Sequence, residues 1–182
     1  MRLSLRKRRQ LMANPTETAS LEKLRARFAE TADGVLESIA SEYGVTLAQA
    51  ITCLPDEMAR SISGEHFAAV MEDISDWGKI LLIVHTDDVV LECPGELPKG
   101  SFGHGMFNFS GGGPFSGHLR ATNCSSIAFL KRPFFGSISA SVVFLNRDGG
   151  AMFKIFVGRD ETRALEQDQL ARFDALAAKL SA

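Results

Sequence analysis

The chain has 182 residues, of which 45% are hydrophobic and 23% charged, and its formal net charge is −2. This composition supplies enough apolar material for a packed core and excludes a wholly disordered chain. The small net charge gives no general reason to expect a nucleic acid as partner, and no apolar run approaches the roughly 20 residues of a membrane helix. We therefore expect a soluble protein with one domain, residues 20–182, behind a disordered tail, residues 1–19.

The tail and the cysteines both bear on location. The tail carries five basic residues, namely Arg2, Arg6, Lys7, Arg8 and Arg9. No apolar stretch of signal-peptide length follows them, so we expect no secretory signal. Cys53, Cys93 and Cys124 are far apart and form neither a C-x-x-C pair nor a zinc spacing. We expect buried, reduced thiols, which agree with a cytoplasmic location.

Helical periodicity begins at Ser20, where apolar residues start to recur at intervals of three and four. Gly34 and Gly44 interrupt the pattern and Pro55 ends it, so three short helices are predicted. A fourth helix is predicted from Glu65 to Trp77. Residues 20–77 thus form the helical part of the domain.

From Gly78 onward, β-branched and aromatic residues form short runs between turn signals. The predicted strands are Ile80–His85, Val89–Glu92, Met106–Phe109, His118–Thr122, Ser125–Leu130, Ser139–Asn146 and Met152–Val157. Pro94-Gly95 is predicted to turn, and Asn146–Gly150 to form a hairpin. Since no helix separates the strands, the sheet should be mainly antiparallel. With a closing helix over Glu161–Leu180, the fold class is α+β: N-terminal helices, a curved antiparallel sheet and a C-terminal helix.

Motifs of nucleophilic and nucleotide chemistry are missing from the sequence. Ser137 follows Gly136, but the second glycine of a G-x-S-x-G elbow is absent. The glycine-rich stretch 110–114 lacks the Gly-Lys-Ser/Thr ending of a P-loop, and no H-E-x-x-H zinc motif occurs. We predict that the chain is not an enzyme.

Four histidines remain as candidate ligands. His85 ends an apolar strand, His118 opens another after a glycine-rich segment, and His104 lies between two glycines. Imidazole is the commonest metal donor near neutral pH, yet a core histidine bonded to the backbone explains the patterns of His85 and His118 equally well. For His66, in the helical half, a solvated or capping role is favoured.

Phenylalanines cluster around these histidines in the sequence. They are Phe102, Phe107, Phe109, Phe115, Phe134 and Phe135. Most should be core, but a large, flat, apolar cofactor also needs an aromatic-lined cleft, one or two axial donors and cations at its rim. The candidate cations are Arg120, Lys131, Arg132 and Lys154, which could bind carboxylates.

Eight short strings, in order and spacing, resemble those of the HutX/ChuX/HuvX heme-utilization carriers. They are Leu54-Pro55, Asp76-Trp-Gly78, Ile83-Val-His-Thr-Asp-Asp88, Gly95-Glu-Leu-Pro98, Gly103-His-Gly-Met-Phe-Asn108, Ser116-Gly-His118, Asn123-Cys124 and Lys154-Ile-Phe-Val-Gly-Arg-Asp160. The resemblance covers roughly residues 29–178. It implies a cytoplasmic homodimer that accepts imported heme as its cofactor or cargo and passes it to a heme-degrading partner protein.

The resemblance also implies a heme site that contains His85 and His118, the histidines of its I-V-H-T and S-G-H strings. Relatives often carry a tyrosine in the G-H-G-Y-F-N string, and in some it is the iron ligand. Here the position is Met106, so we expect His85 or His118 to be the main axial donor, with His104 in reserve. Methionine favours ferrous iron, and Met106 is expected to be a wall residue rather than a weak second ligand. Arg120 and Lys131 complete the predicted cofactor site.

Three alternatives remain. Residues 35–51 resemble a helix-turn-helix with Gly44 at the turn, but the second helix, 46–54, contains no Lys or Arg. Such a helix makes poor phosphate contacts, so a structural role is favoured over DNA binding. A heme-degrading enzyme and a dimerisation module without a ligand are the other two.

Overall fold

The computed structural model describes residues 15–110 and 115–181. Its helices are α1 (Pro15–Glu30), α2 (Leu36–Glu42), α3 (Leu47–Ile51), α4 (Phe67–Ile74) and α5 (Gln167–Leu180). Helix α1 includes the last five residues of the predicted tail, 15–19, and residues 1–14 lie outside the described residues. Among the described residues, no helix is long and apolar enough to cross a membrane.

The segment that resembles a helix-turn-helix forms α2 and α3, with Gly44 between them at a φ of 64°. Thr46 and Gln49 form a capping box at the start of α3, because each side chain bonds the other residue's backbone NH. Helix α3 has only five residues and buries Leu47, Ala50 and Ile51. It therefore presents its apolar face to the core.

Within residues 15–110 and 115–181, nine strands form two antiparallel sheets. They are β1 (Ala59–Ser63), β2 (Lys79–His85), β3 (Val90–Glu96), β4 (Gly100–Gly103), β5 (Met106–Phe109), β6 (His118–Leu119), β7 (Cys124–Phe134), β8 (Ser137–Asn146) and β9 (Ala151–Phe156). Six of them form an open sheet in the order β1-β7-β8-β9-β2-β3, and the others form a small sheet in the order β4-β5-β6. The α+β class and the antiparallel pairing are confirmed.

Several boundaries differ from the prediction. Strand β1 lies inside the region predicted as helical; only Ile62 of it is buried, so its sequence lacks an apolar period. The predicted turn at Pro94-Gly95 is wrong, because both residues lie in β3. Proline is tolerated there because β3 is an edge strand, whose free side needs no NH donors. The closing helix begins at Gln167 rather than Glu161.

Strand β4 is missing from the predicted set because its glycines carry no strand signal. Packing makes the glycine necessary: a Cβ on Gly100 would lie 2.3 Å from the ring of Phe107 on the neighbouring β5. The strand therefore exists through its pairing with β5 rather than through its own propensity.

The large sheet separates two apolar cores, because side chains alternate along its strands. On one face, Phe144 of β8 packs with Phe67 of α4, which packs in turn with Phe107 of the small sheet. On the other face, Val143 packs with the helices α1–α3. The helical layer and the small sheet thus lie on opposite faces of the six-stranded sheet.

Candidate functional site

A cleft of about 390 Å³ lies between α2 and the face of the large sheet that the helical layer covers. Its walls are mostly apolar, with contributions from α2 and α3, from the loop before α2, and from five strands of the sheet. The lining residues are Val35, Leu36, Glu37, Leu47, Ile83, His85, Val90, Glu92, Leu130, Arg132, Phe134, Phe135, Ser139, Ser141, Val143, Lys154 and Phe156. The volume falls in the range of small-molecule sites.

Three ionisable side chains meet at one side of the cleft. His85 ends β2, Lys154 lies on the neighbouring β9, and Glu37 faces both from the first turn of α2. The Oε1 atom of Glu37 forms an ion pair with Lys154 Nζ and lies 3.6 Å from His85 Nδ1. The opposite ring nitrogen of His85, Nε2, has no hydrogen-bond partner in the part of the chain that the structure describes. In the cleft, Nε2 is therefore the nitrogen that is free to bind a metal.

The guanidinium of Arg132 ties the helical layer to the sheet below the cleft. Its nitrogens donate to the carbonyl oxygens of Ala32 at 2.6 Å, Gly34 at 2.7 Å and Pro133 at 2.8 Å. Burial lowers the pKa of Arg132 from its ordinary value, against the opposing pull of the Asp33 charge. The residue is structural in this position, since its donors are engaged by the backbone.

Asp33 closes the same corner from the loop before α2. Its carboxylate accepts hydrogen bonds from the backbone NH groups of Phe135 at 2.6 Å and Gly136 at 2.9 Å, and from its neighbour Gly34 at 2.7 Å. The bond from Gly136 contributes most to lowering the pKa of Asp33 below its usual range. The turn between β7 and β8 is therefore held against the helical layer.

That turn presents an aromatic residue to solvent. Phe135 is 74% exposed and lies in the left-handed region with a φ of 48°, which is uncommon for a residue with a side chain. The cleft floor behind it contains two small, buried polar residues: Ser141, which pairs with Leu130 and Phe156, and Ser139, which pairs with Arg132. Small residues in the floor leave space between mostly apolar walls.

The structure separates the two histidines that the resemblance groups together. His118 lies on β6 in the small sheet, where its Nδ1 bonds Asn108 Oδ1 at 2.6 Å. Its neighbours Leu119 and Phe107 pack into the core on the face opposite the cleft. His85 and His118 thus lie on opposite sides of the large sheet. His118 therefore does not line the cleft that contains His85.

The other predicted cofactor residues also lie outside the cleft. His104 is exposed in the turn between β4 and β5, with a φ of 52°, and Met106 is half-buried at the start of β5. Arg120 is exposed beside β6. Lys131 points to the face opposite Arg132, where it pairs with Asp174 of α5 at 2.8 Å. Their roles toward heme stay predictions.

Sequence reasoning overlooked Glu37, Ser141 and Phe156 as members of the site. The only signal for Phe156 is its place in the Lys154–Asp160 string. Glu37 is one of many acidic residues in the helical half, and nothing in the chain order pairs it with His85, 48 positions later. Only the packing of α2 on the sheet brings them together.

The cysteines do not join the cleft. All three are free, and Cys53 is buried, whereas Cys93 and Cys124 are only half-buried, contrary to expectation. Burial raises the pKa of Cys124 to about 11, so its thiol stays protonated and is a poor nucleophile. Among the described residues, no group of three or more His, Cys, Asp or Glu side chains could hold a metal ion.

Fold and cleft together define a class: an α+β protein that carries a mainly apolar cleft, with one free imidazole nitrogen, between short helices and an open antiparallel sheet. Residues 60–176 match the model of the family described as "Haem utilisation ChuX/HutX". The chain belongs to that family, and the resemblance of the sequence is confirmed.

Several relatives are similar over most of the chain. The "Intracellular heme transport protein HutX" of Vibrio cholerae is 33% identical over 159 residues, which are 86% of this chain and 82% of that protein. A solved protein from Erwinia carotovora is 45% identical, with a TM-score of 0.84 over 86% of this chain and 98% of its own. The solved heme-binding protein ChuX is 41% identical, with a TM-score of 0.81 over 87% of this chain and 99% of its own.

Proposed function

We propose that this chain is an intracellular heme carrier that holds heme in the cleft between α2 and the large sheet. The observation that carries the proposal is the cleft itself, in which apolar walls surround a histidine whose Nε2 is free. A flat tetrapyrrole with a central iron needs both features. Membership of the family and the names of its relatives support heme as the ligand and an intracellular location.

Most of the affinity should come from burial of the apolar ring. Each Å² of apolar surface removed from water contributes about 25 cal/mol before ordering costs are subtracted. When bound, heme supplies an iron atom that accepts one imidazole nitrogen. Both cations of the cleft are engaged, Lys154 by Glu37 and Arg132 by backbone carbonyls. The heme carboxylates are therefore expected to remain in solvent at the mouth near Phe135.

This arrangement favours the release of heme over its degradation. A carrier has to give up its cargo, and one axial histidine with exposed carboxylates permits exchange. The names of the relatives, a transport and a binding protein, support a non-enzymatic function. Transfer to a heme-degrading partner is the destination that the resemblance implies. An enzyme would instead destroy the Soret band when a reductant is added and release iron.

A hemin titration followed at the Soret band tests the proposal. We expect saturation at about one heme per chain and a stable spectrum with reductant. Ser141→Leu, which fills the buried floor of the cleft, should lower the affinity about tenfold or more, since overpacking excludes the ring. Ser137→Leu is the matched control, because Ser137 is exposed on the same strand. Unsaturable binding by the parent protein, or equal effects of the two variants, would contradict a site in the cleft.

The chain is also proposed to form a homodimer. Strand β3 is an edge of the large sheet, and Val89, Val90 and Leu91 are about half exposed at its start. Exposed apolar edge strands pair with other chains unless they are protected.

Sedimentation equilibrium checks the homodimer. We expect twice the mass of 19.8 kDa for the parent protein and a shift toward the monomer for Leu91→Lys. Ile138→Lys, on an equally exposed residue three strands away, should leave the dimer intact. A parent protein that sediments as a monomer at all concentrations would rule out the dimer.

A further inference from the structure

The carboxylate of Glu37 lies partly buried next to the free histidine, with its side chain 23% exposed. Its Oε1 atom is removed from solvent and receives no hydrogen bond of standard geometry from the described residues. Two nitrogens approach it: Lys154 Nζ as an ion pair, and His85 Nδ1 at 3.6 Å. The ion pair with Lys154 offsets the cost of partly burying the carboxylate, but it does not account for the position of the carboxylate beside the imidazole.

Metal ligation would determine which nitrogen of His85 carries the proton. If Nε2 coordinates a metal, the proton stays on Nδ1, the atom that faces Glu37. The separation of 3.6 Å is longer than a hydrogen bond, but a small rotation of the imidazole converts it into a charge-assisted one. Coordination of heme by Nε2 and a hydrogen bond from Nδ1 to Glu37 therefore require the same tautomer of His85.

Three elements fix this geometry. Glu37 comes from α2 and His85 from β2, while Lys154 comes from β9, where it pairs with Ile83, two residues before His85 on the same face of β2. Lys154 is 12% exposed and anchors the carboxylate by its charge. Lys154 thus balances the charge of the carboxylate. The carboxylate can in addition accept a hydrogen bond from Nδ1 of His85.

We propose that Glu37 is a positioning residue for heme: it orients the ring of His85 so that Nε2 points into the cleft and strengthens it as a ligand. The inference rests on the proposed function and deepens it. A carboxylate that accepts the outer proton of a ligating histidine raises the basicity of the imidazole, and loss of such a partner lowers metal affinity about 10–100-fold. The more basic ligand favours ferric over ferrous iron.

The test compares hemin with metal-free protoporphyrin IX in the full chain. Glu37→Ala should lower the affinity for hemin about 10–100-fold. Binding of protoporphyrin, measured by its fluorescence, should change less than about threefold, because the apolar walls remain. Glu37→Gln keeps an acceptor for Nδ1 and should fall between the parent protein and Glu37→Ala. Loss should be larger for ferric than for ferrous heme.

Glu42→Gln is the matched control, since it removes one charge from an exposed residue of the same helix. It should bind both ligands as the parent does. Equal losses of hemin and protoporphyrin in Glu37→Ala would mean that Glu37 only supports the cleft, and would overturn the inference, as would unchanged hemin binding. A parent protein that binds no hemin would instead overturn the proposed function, and the two failures are thus distinguished.

Discussion

Replacing His85 by alanine should lower the affinity for hemin more than about 100-fold and shift the Soret band. His85 contributes the one imidazole to the lining of the cleft among the described residues, and its Nε2 has no other partner there. Loss of a partner behind a ligand costs about 10–100-fold, so loss of the ligand itself should exceed that range. Equilibrium titration of the purified variant measures the change.

His118→Ala supplies the comparison that the fold makes possible. His118 lies on the opposite side of the large sheet, bonded to Asn108, and its removal should change hemin affinity less than about threefold. In His85→Gly, added imidazole should restore the parent spectrum by occupying the vacated position. If His118→Ala loses hemin while His85→Ala retains it, the heme site lies at the small sheet and not in the cleft.

Arg132→Met is expected to reduce the free energy of unfolding by about 3–5 kcal/mol, the cost of leaving buried partners without their charged donor. The variant keeps an apolar chain of similar length but leaves the carbonyl oxygens of Ala32, Gly34 and Pro133 without their donor. It also removes the positive charge beside Asp33. Since these contacts join the helical layer to the hairpin at the mouth, heme affinity should fall as well.

Lys131→Met is the control for this prediction, because the neighbouring residue points to the other face. Its ion pair with Asp174 is partly exposed, and such pairs contribute about 0–1 kcal/mol. Urea unfolding should therefore give midpoints close to the parent for Lys131→Met and far below it for Arg132→Met. Equal midpoints for the two variants would show that the Arg132 contacts do not hold the layers together.

Sequence patterns predict the elements that depend on local periodicity, and they miss those that depend on contacts between distant segments. Strands such as β2 and β8 have buried faces, so their runs of β-branched residues predict them from the sequence. Strand β1 is short and polar, and it is a strand because Ile62 pairs with Ile127 of β7. The helices α2 and α3 were expected from periodicity, and Gly44 marks their turn by its positive φ.

In the candidate site, too, some residues follow from the sequence and others only from the packing. His85 was singled out because it ends an apolar strand and lies in a string shared with the family. Lys131 and Arg132 were both named as rim cations, although successive residues of a strand point to opposite faces. Without knowing which face is covered by helices, no sequence pattern assigns Arg132 to the cleft and Lys131 to α5.

By itself the sequence determined the fold class, most strand and helix positions and the family, and it named His85 as a candidate ligand. These depend on local periodicity and on short strings, which can be recognised in the sequence itself. Tertiary structure alone decided that His85 and His118 lie on opposite faces of the sheet and that Glu37 stands behind His85. Both facts depend on how helices and strands distant in the chain pack together, and packing between distant segments leaves no spacing in a single sequence.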